Sequence, residues 1–169
     1  GNFKVITGAS QSSSFGVTGS GTNPTVNITG NVSYTKGGSA TPSITTGTGI
    51  WTVTGHLDFT NGTLTSTSGN EIILNGTSNL VGNSVTIYKL TINGRGNIVT
   101  ASGLTNVSNT LTIGGAADSN NDTLTISGSV QVTSTGTLTI HGSGTDLING
   151  SGTLIMRNGN LSTNGTINV

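Results

Sequence analysis

From Trp51 onward apolar residues come in pairs with one polar residue between them. The pairs are Trp51/Val53, Leu57/Phe59, Ile72/Leu74, Val85/Ile87, Leu90/Ile92, Leu111/Ile113, Leu124/Ile126, Val130/Val132, Leu138/Ile140, Leu154/Met156 and Ile167/Val169. Alternation over so few residues predicts short strands with one face buried, each pointing about two side chains inward. The first apolar residues of successive segments are Leu90, Ile98, Leu104, Leu111, Leu124, Val130, Leu138, Leu147, Leu154, Leu161 and Ile167. Taken in threes they place Leu90, Leu111, Leu138 and Leu161 in equivalent positions on successive coils. One step is long, because residues 114–122 read as a loop inserted into the repeat.

A coil with one short strand per side cannot bury its own apolar pair. Stacked coils, about 4.8 Å apart, join the pairs into one core. The expected fold is therefore all-β, a three-sided parallel β-helix over residues 50–169. Residues 1–49 are irregular in spacing and are expected to form an N-terminal arm or cap. Within them, Val26–Tyr34 reads as a hairpin about Gly30-Asn31, and Phe3–Ile6 as a candidate donated strand. Six Asn-Gly dipeptides, beginning at Asn61, Asn75, Asn93, Asn149, Asn158 and Asn164, are hairpin signals. They keep an antiparallel β-sandwich or jelly roll as the alternative.

Composition sharpens this picture. Thr, Gly, Ser and Asn fill 102 of 169 positions, which favours strands and turns over helices. Five basic residues against five acidic ones supply no footprint for nucleic acid or anionic lipid. No stretch of about 20 apolar residues is present to span a bilayer as a helix. There is no Cys. The chain opens at Gly1 without Met, as a secreted protein does once its signal peptide is removed, and as an excised piece also would.

The run Tyr88-Lys89-Leu90-Thr91-Ile92-Asn93-Gly94, continued through Gly103-Leu104-Thr105-Asn106-Val107 to Thr110-Leu111-Thr112-Ile113, resembles the β-strand repeats of prokaryotic cell-surface adhesins. These are the filamentous-haemagglutinin-like and autotransporter passenger solenoids. More loosely, the Thr/Gly/Ser-rich, charge-poor composition resembles subunits of extracellular filaments, some of which donate an N-terminal strand to a neighbour. The resemblance implies a β-solenoid in an extracellular or cell-surface setting. It implies a structural subunit that polymerises with copies of itself, or alternatively an adhesin module that contacts surface glycans.

Candidate chemistry is sparse. The carboxylates Asp58, Glu71, Asp118, Asp122 and Asp146, and the histidines His56 and His141, form no catalytic spacing, so no enzyme and no cofactor is expected. Asp118, Asn120 and Asp122 have oxygen ligands at alternate positions, and Asp146 falls one coil beyond Asp122, which makes these four the candidate calcium ligands. Asn27, Asn31, Asn61, Asn75, Asn106, Asn121, Asn149, Asn160 and Asn164 begin glycosylation sequons. Outward Thr-x-Thr pairs suggest an ice-binding ladder, but Lys89 and Asn160 interrupt it on the side of Leu90. The subunit-contact candidates are Phe3, Val5 and Ile6 at one end, and Ile167 and Val169 at the other.

Overall fold

The computed structural model describes residues 1–6, 8, 14–16, 24–94, 96–115, 120–133, 136–141, 146–157, 159–163 and 165–169. Among these there is no helix. The first coil holds β1 (Phe3–Ile6), β2 (Ser14–Gly16) and β3 (Thr25–Ile28), and the next holds β4 (Val32–Thr35), β5 (Ser43–Thr45) and β6 (Ile50–Val53). Then follow β7 (Leu57–Asp58), β8 (Thr63–Thr65) and β9 (Glu71–Leu74). Above these lie β10 (Ser78–Val81) with the long β11 (Val85–Ile92), and β12 (Ile98–Ser102) with the longer β13 (Leu104–Ile113). The upper coils are β14 (Thr123–Ile126), β15 (Ser129–Val132) and β16 (Thr137–Ile140), then β17 (Leu147–Gly150), β18 (Thr153–Met156), β19 (Asn160–Thr163) and finally β20 (Thr166–Asn168).

Every pairing among these strands is parallel. The chain is a β-solenoid, and the antiparallel sandwich is excluded. Parallel neighbours cannot be joined by a two-residue hairpin, so Asn61-Gly62, Asn75-Gly76 and Asn93-Gly94 lie at corners between strands, and Asn149-Gly150 falls within β17. The ladders form two sheets. One has eight strands in the order β1-β4-β7-β10-β12-β14-β17-β20, about 34 Å along the stack at the usual strand spacing. The other has twelve strands in two ladders, which merge where β11 and β13 run through both.

The register expected from spacing is found: Leu90 pairs with Leu111, Leu111 with Leu138 and Leu138 with Leu161. Three expected inward anchors are corrected by one residue. Ile98 is 49% exposed and Val99 is buried instead, Thr105 is buried rather than Leu104, and Ile148 rather than Leu147. In a strand a shift of one residue exchanges the two faces, and a pair such as Ile98-Val99 offers either as the core residue.

Residues 1–49, expected as an arm or cap, carry the first strands of all three ladders. Strands β1, β2 and β3 pair with β4, β5 and β6 of the same chain. The expected Val26–Tyr34 hairpin does not form, because β3 and β4 belong to different sheets. The candidate donated strand Phe3–Ile6 lies in register with Val32–Thr35.

The core changes character along the stack. Phe3, Phe15, Tyr34, Trp51 and Phe59 sit at the N-terminal end, whereas Leu, Ile and Val fill the rest. Some columns repeat one residue type from coil to coil, as in the fully buried column Leu90, Leu111, Leu138.

Candidate functional site: the end coils and the corner ladders

The two ends of the stack close differently. At the N-terminal end Phe3, Phe15 and Trp51 make an edge-to-face cluster, with ring centroids 4.8 Å apart for Phe3–Phe15, 6.1 Å for Phe3–Trp51 and 6.3 Å for Phe15–Trp51. Trp51 is buried, and its Nε1–H donates to the Thr46 carbonyl at 3.0 Å, which fixes the ring. Val5, two residues along β1 from Phe3, is buried. Ile6 points outward and is 57% exposed.

The C-terminal end has no such layer among the described residues. Leu161 continues the Leu90–Leu111–Leu138 column and is 55% exposed, while Ile167, in register with buried Ile148, is 37% exposed and Val169 is 50% exposed. Leu154 and Met156 are half-buried on the neighbouring ladder. Thr163 pairs with Ile140 and puts a hydroxyl in a column that is otherwise Ile28, Val53, Leu74, Ile92, Ile113 and Ile140. Sequence reasoning marked Ile167 and Val169 but passed over Phe15 and Leu161. Their column membership, visible for Leu161 in the 90–111–138–161 series, was the available signal.

One edge of the eight-stranded sheet carries a ladder of side-chain acceptors. Asn2 Oδ1 accepts the Asn31 N–H, Asn31 Oδ1 accepts the His56 N–H, and His56 Nδ1 accepts the Asn79 N–H, each at 2.9 Å. The same column continues on later coils through Thr125, whose Oγ1 donates to Asn149 Oδ1 at 2.8 Å. The bonds of Asn2, Asn31 and His56 satisfy backbone donors of the next coil, and the Thr125–Asn149 bond ties two paired strands through their side chains. His56 is thereby a link in the stack.

The candidate calcium ligands come together only in part. Asp122 and Asp146 are both buried and stacked on successive coils. Asp122 accepts N–H groups of Asn97 at 2.8 Å and Gly94 at 3.3 Å, and Asp146 accepts the Asp122 N–H at 2.8 Å. The carboxylates thus satisfy backbone donors at a corner. Asn120 Nδ2 donates to the Gly94 carbonyl, and Asp118 lies outside the described residues. No group of three or more His, Asp or Glu side chains gathers among the described residues. Glu71 accepts the Thr91 hydroxyl at 2.6 Å, and His141 lies beyond the end of β16, coils away from His56.

Of the sequon asparagines, Asn27, Asn61, Asn75, Asn121 and Asn160 are exposed, and Asn31, Asn106 and Asn149 are half-buried. Asn31 and Asn149 already serve the ladder, Asn75 accepts the Thr54 hydroxyl, and Asn164 lies outside the described residues. The Thr-x-Thr register is present, with Thr110 opposite Thr137 and Thr112 opposite Thr139, and is flanked by Lys89 and Asn160. No helix among the described residues is long and apolar enough to cross a membrane.

Comparison with protein-family models, with curated proteins and with solved structures found no match to this chain.

Proposed function

We propose that the chain is a structural subunit of an extracellular filament or surface assembly, and that it adds to copies of itself by stacking coils end to end. The observation that carries this reading is the last coil. Leu161 and Ile167 stand in line with core columns yet remain exposed, and Val169 beyond them is exposed as well. Removing half-exposed side chains of this size from water is worth roughly 1–2 kcal/mol each, and parallel strand pairing would add the backbone bonds. The in-chain pairing of β1 with β4 favours stacking over donation of Phe3–Ile6 to a neighbour. A charge-poor surface, with 6% charged residues, opposes close packing of copies only weakly.

The test is a double variant, Leu161→Ser with Ile167→Ser, compared with the parent chain by sedimentation and negative-stain microscopy. Both residues are exposed, so the thermal melt should be nearly unchanged while ordered polymers disappear. A parent chain that stays monomeric at high concentration, or polymers that survive the double substitution, would overturn the reading. A second reading, a module that binds surface glycans, is favoured by a cleft on the side of the stack lined by Lys36, Thr41, Thr60, Asn61, Thr63 and Asn83.

A further inference from the structure

The corner that leads from the eight-stranded sheet into the next ladder is short on most coils. Four residues separate the inward side chains of Phe59 and Leu64, and four separate Leu80 and Val85. Only three separate Ala101 from Thr105 and Ile126 from Val130. Between Tyr34 and Ile44 the same corner takes nine. Residues 36–41 lie between β4 and β5, and through Lys36 and Thr41 they form a wall beside the next two corners.

Between that wall and those corners lies a cleft of about 180 Å³, lined by Lys36, Thr41, Thr60, Asn61, Thr63 and Asn83, with Gly62 at its base. The wall is tied down. The Thr63 N–H donates to the Pro42 carbonyl at 2.9 Å, and the Tyr34 hydroxyl donates to the Thr63 carbonyl at 2.9 Å. Gly62 lies flat on the Tyr34 ring, where an added Cβ would sit 2.2 Å from Cδ1, so only glycine leaves both the ring and the cleft in place. Asn83 Nδ2 donates to the Thr60 carbonyl at 3.2 Å. The next residue, Ser84, has φ 56°, the one left-handed non-glycine conformation among the described residues. Backbone held in that region is strained, and such strain collects where a side chain must be aimed.

All six lining side chains are exposed polar groups: three hydroxyls, two carboxamides and one ammonium. Lys36 has no carboxylate partner among the described residues. Closely spaced hydroxyls and amides suit a polyol, and an unpaired ammonium suits a carboxylate. The volume is below the roughly 300 Å³ at which drug-sized pockets begin, so it takes a single ring. We propose that this cleft binds one hexuronic acid ring, with the sugar carboxylate on Lys36 and the ring hydroxyls on Thr41, Thr60, Asn61 and Asn83. This site is independent of the end-to-end reading, since it lies on the side of the stack.

The test is titration of the isotopically labelled full chain, carrying Leu161→Ser and Ile167→Ser to keep it monomeric, with glucuronate, followed by amide NMR, with glucose and acetate as separate controls. Glucuronate at millimolar concentration should shift the amides of residues 36–41, 60–63 and 83–84 and leave the end coils unmoved. Glucose and acetate should each bind more weakly. The exposed Lys36→Gln change should weaken glucuronate binding by about fivefold, as expected for one solvent-exposed ion pair, without altering the rest of the spectrum. Absence of shifts at the cleft, equal binding of acetate or glucose, or an unchanged affinity in Lys36→Gln would each overturn the proposal.

Discussion

Thr105 is the sharpest test of how this core is packed. It occupies an inward column between Val85 and Val130, is fully buried, and its Oγ1 has no hydrogen-bond partner. A hydroxyl left unpaired in the interior costs about 1–3 kcal/mol, whereas a methyl of nearly the same size in that place costs nothing and gains contact. Thr105→Val should therefore stabilise the fold by about 1–2 kcal/mol. At roughly 2–4 °C per kcal/mol for a chain of this size, the melting temperature should rise by about 2–8 °C. The same substitution in reverse one coil on, Val130→Thr, should cost a similar amount, since Val130 is equally enclosed. Urea unfolding followed by circular dichroism measures both, and the slope with denaturant should stay the same in each variant. If Thr105→Val lowered stability, the hydroxyl would have a bonding role, and the assignment of this column to a dry core would be wrong.

Leu111 is enclosed between Leu90 and Leu138, so Leu111→Ala should lose about 2–5 kcal/mol in the same assay. In the corner ladder, Asn31→Ala removes the acceptor of the His56 N–H and should cost about 0.5–1.5 kcal/mol, whereas His56→Asn keeps an acceptor for Asn79 and should cost less. Tyr34→Phe should cost about 1 kcal/mol at neutral pH by removing the bond to Thr63. Burial pushes the Tyr34 phenol above its usual range. The stability this group contributes is thus fully present below about pH 10, the unfolded value, and is lost as pH rises beyond it. Melting temperatures across that range should fall more steeply in the parent than in Tyr34→Phe.

The repeat was legible where spacing and chemistry agreed. Leu90, Leu111 and Leu138 could be aligned because each begins a Leu-Thr-Ile segment, Leu161 comes at a similar step, and the register follows them. The slips at Ile98, Leu104 and Leu147 arose where an apolar residue stands beside the true inward one, or where, as at Thr105, the inward one is polar. The first coils were obscured by their corners: Phe3 and Val32 are 29 residues apart, while Leu90 and Leu111 are 21. Insertions of that size hide a period without altering the stacking beneath it. Asn-Gly signals were misleading because Gly62, Gly76 and Gly94 serve close approach, where an added Cβ would meet the Tyr34 ring, the Thr54 carbonyl and the Asn97 side chain, and not the positive φ of a hairpin turn. The acceptor ladder of Asn2, Asn31 and His56 could not be seen in a sequence with 20 asparagines, since abundance conceals the few that are aligned.

The central claim is that one stack of parallel coils continues from subunit to subunit through the coil that carries Leu161 and Ile167. Cryo-electron microscopy of the assembled material tests it most directly. The expected map shows strand layers about 4.8 Å apart running without interruption across the subunit junction, with Leu161, Ile167 and Val169 enclosed there. Subunits joined side by side, with those three residues still facing solvent, would contradict it.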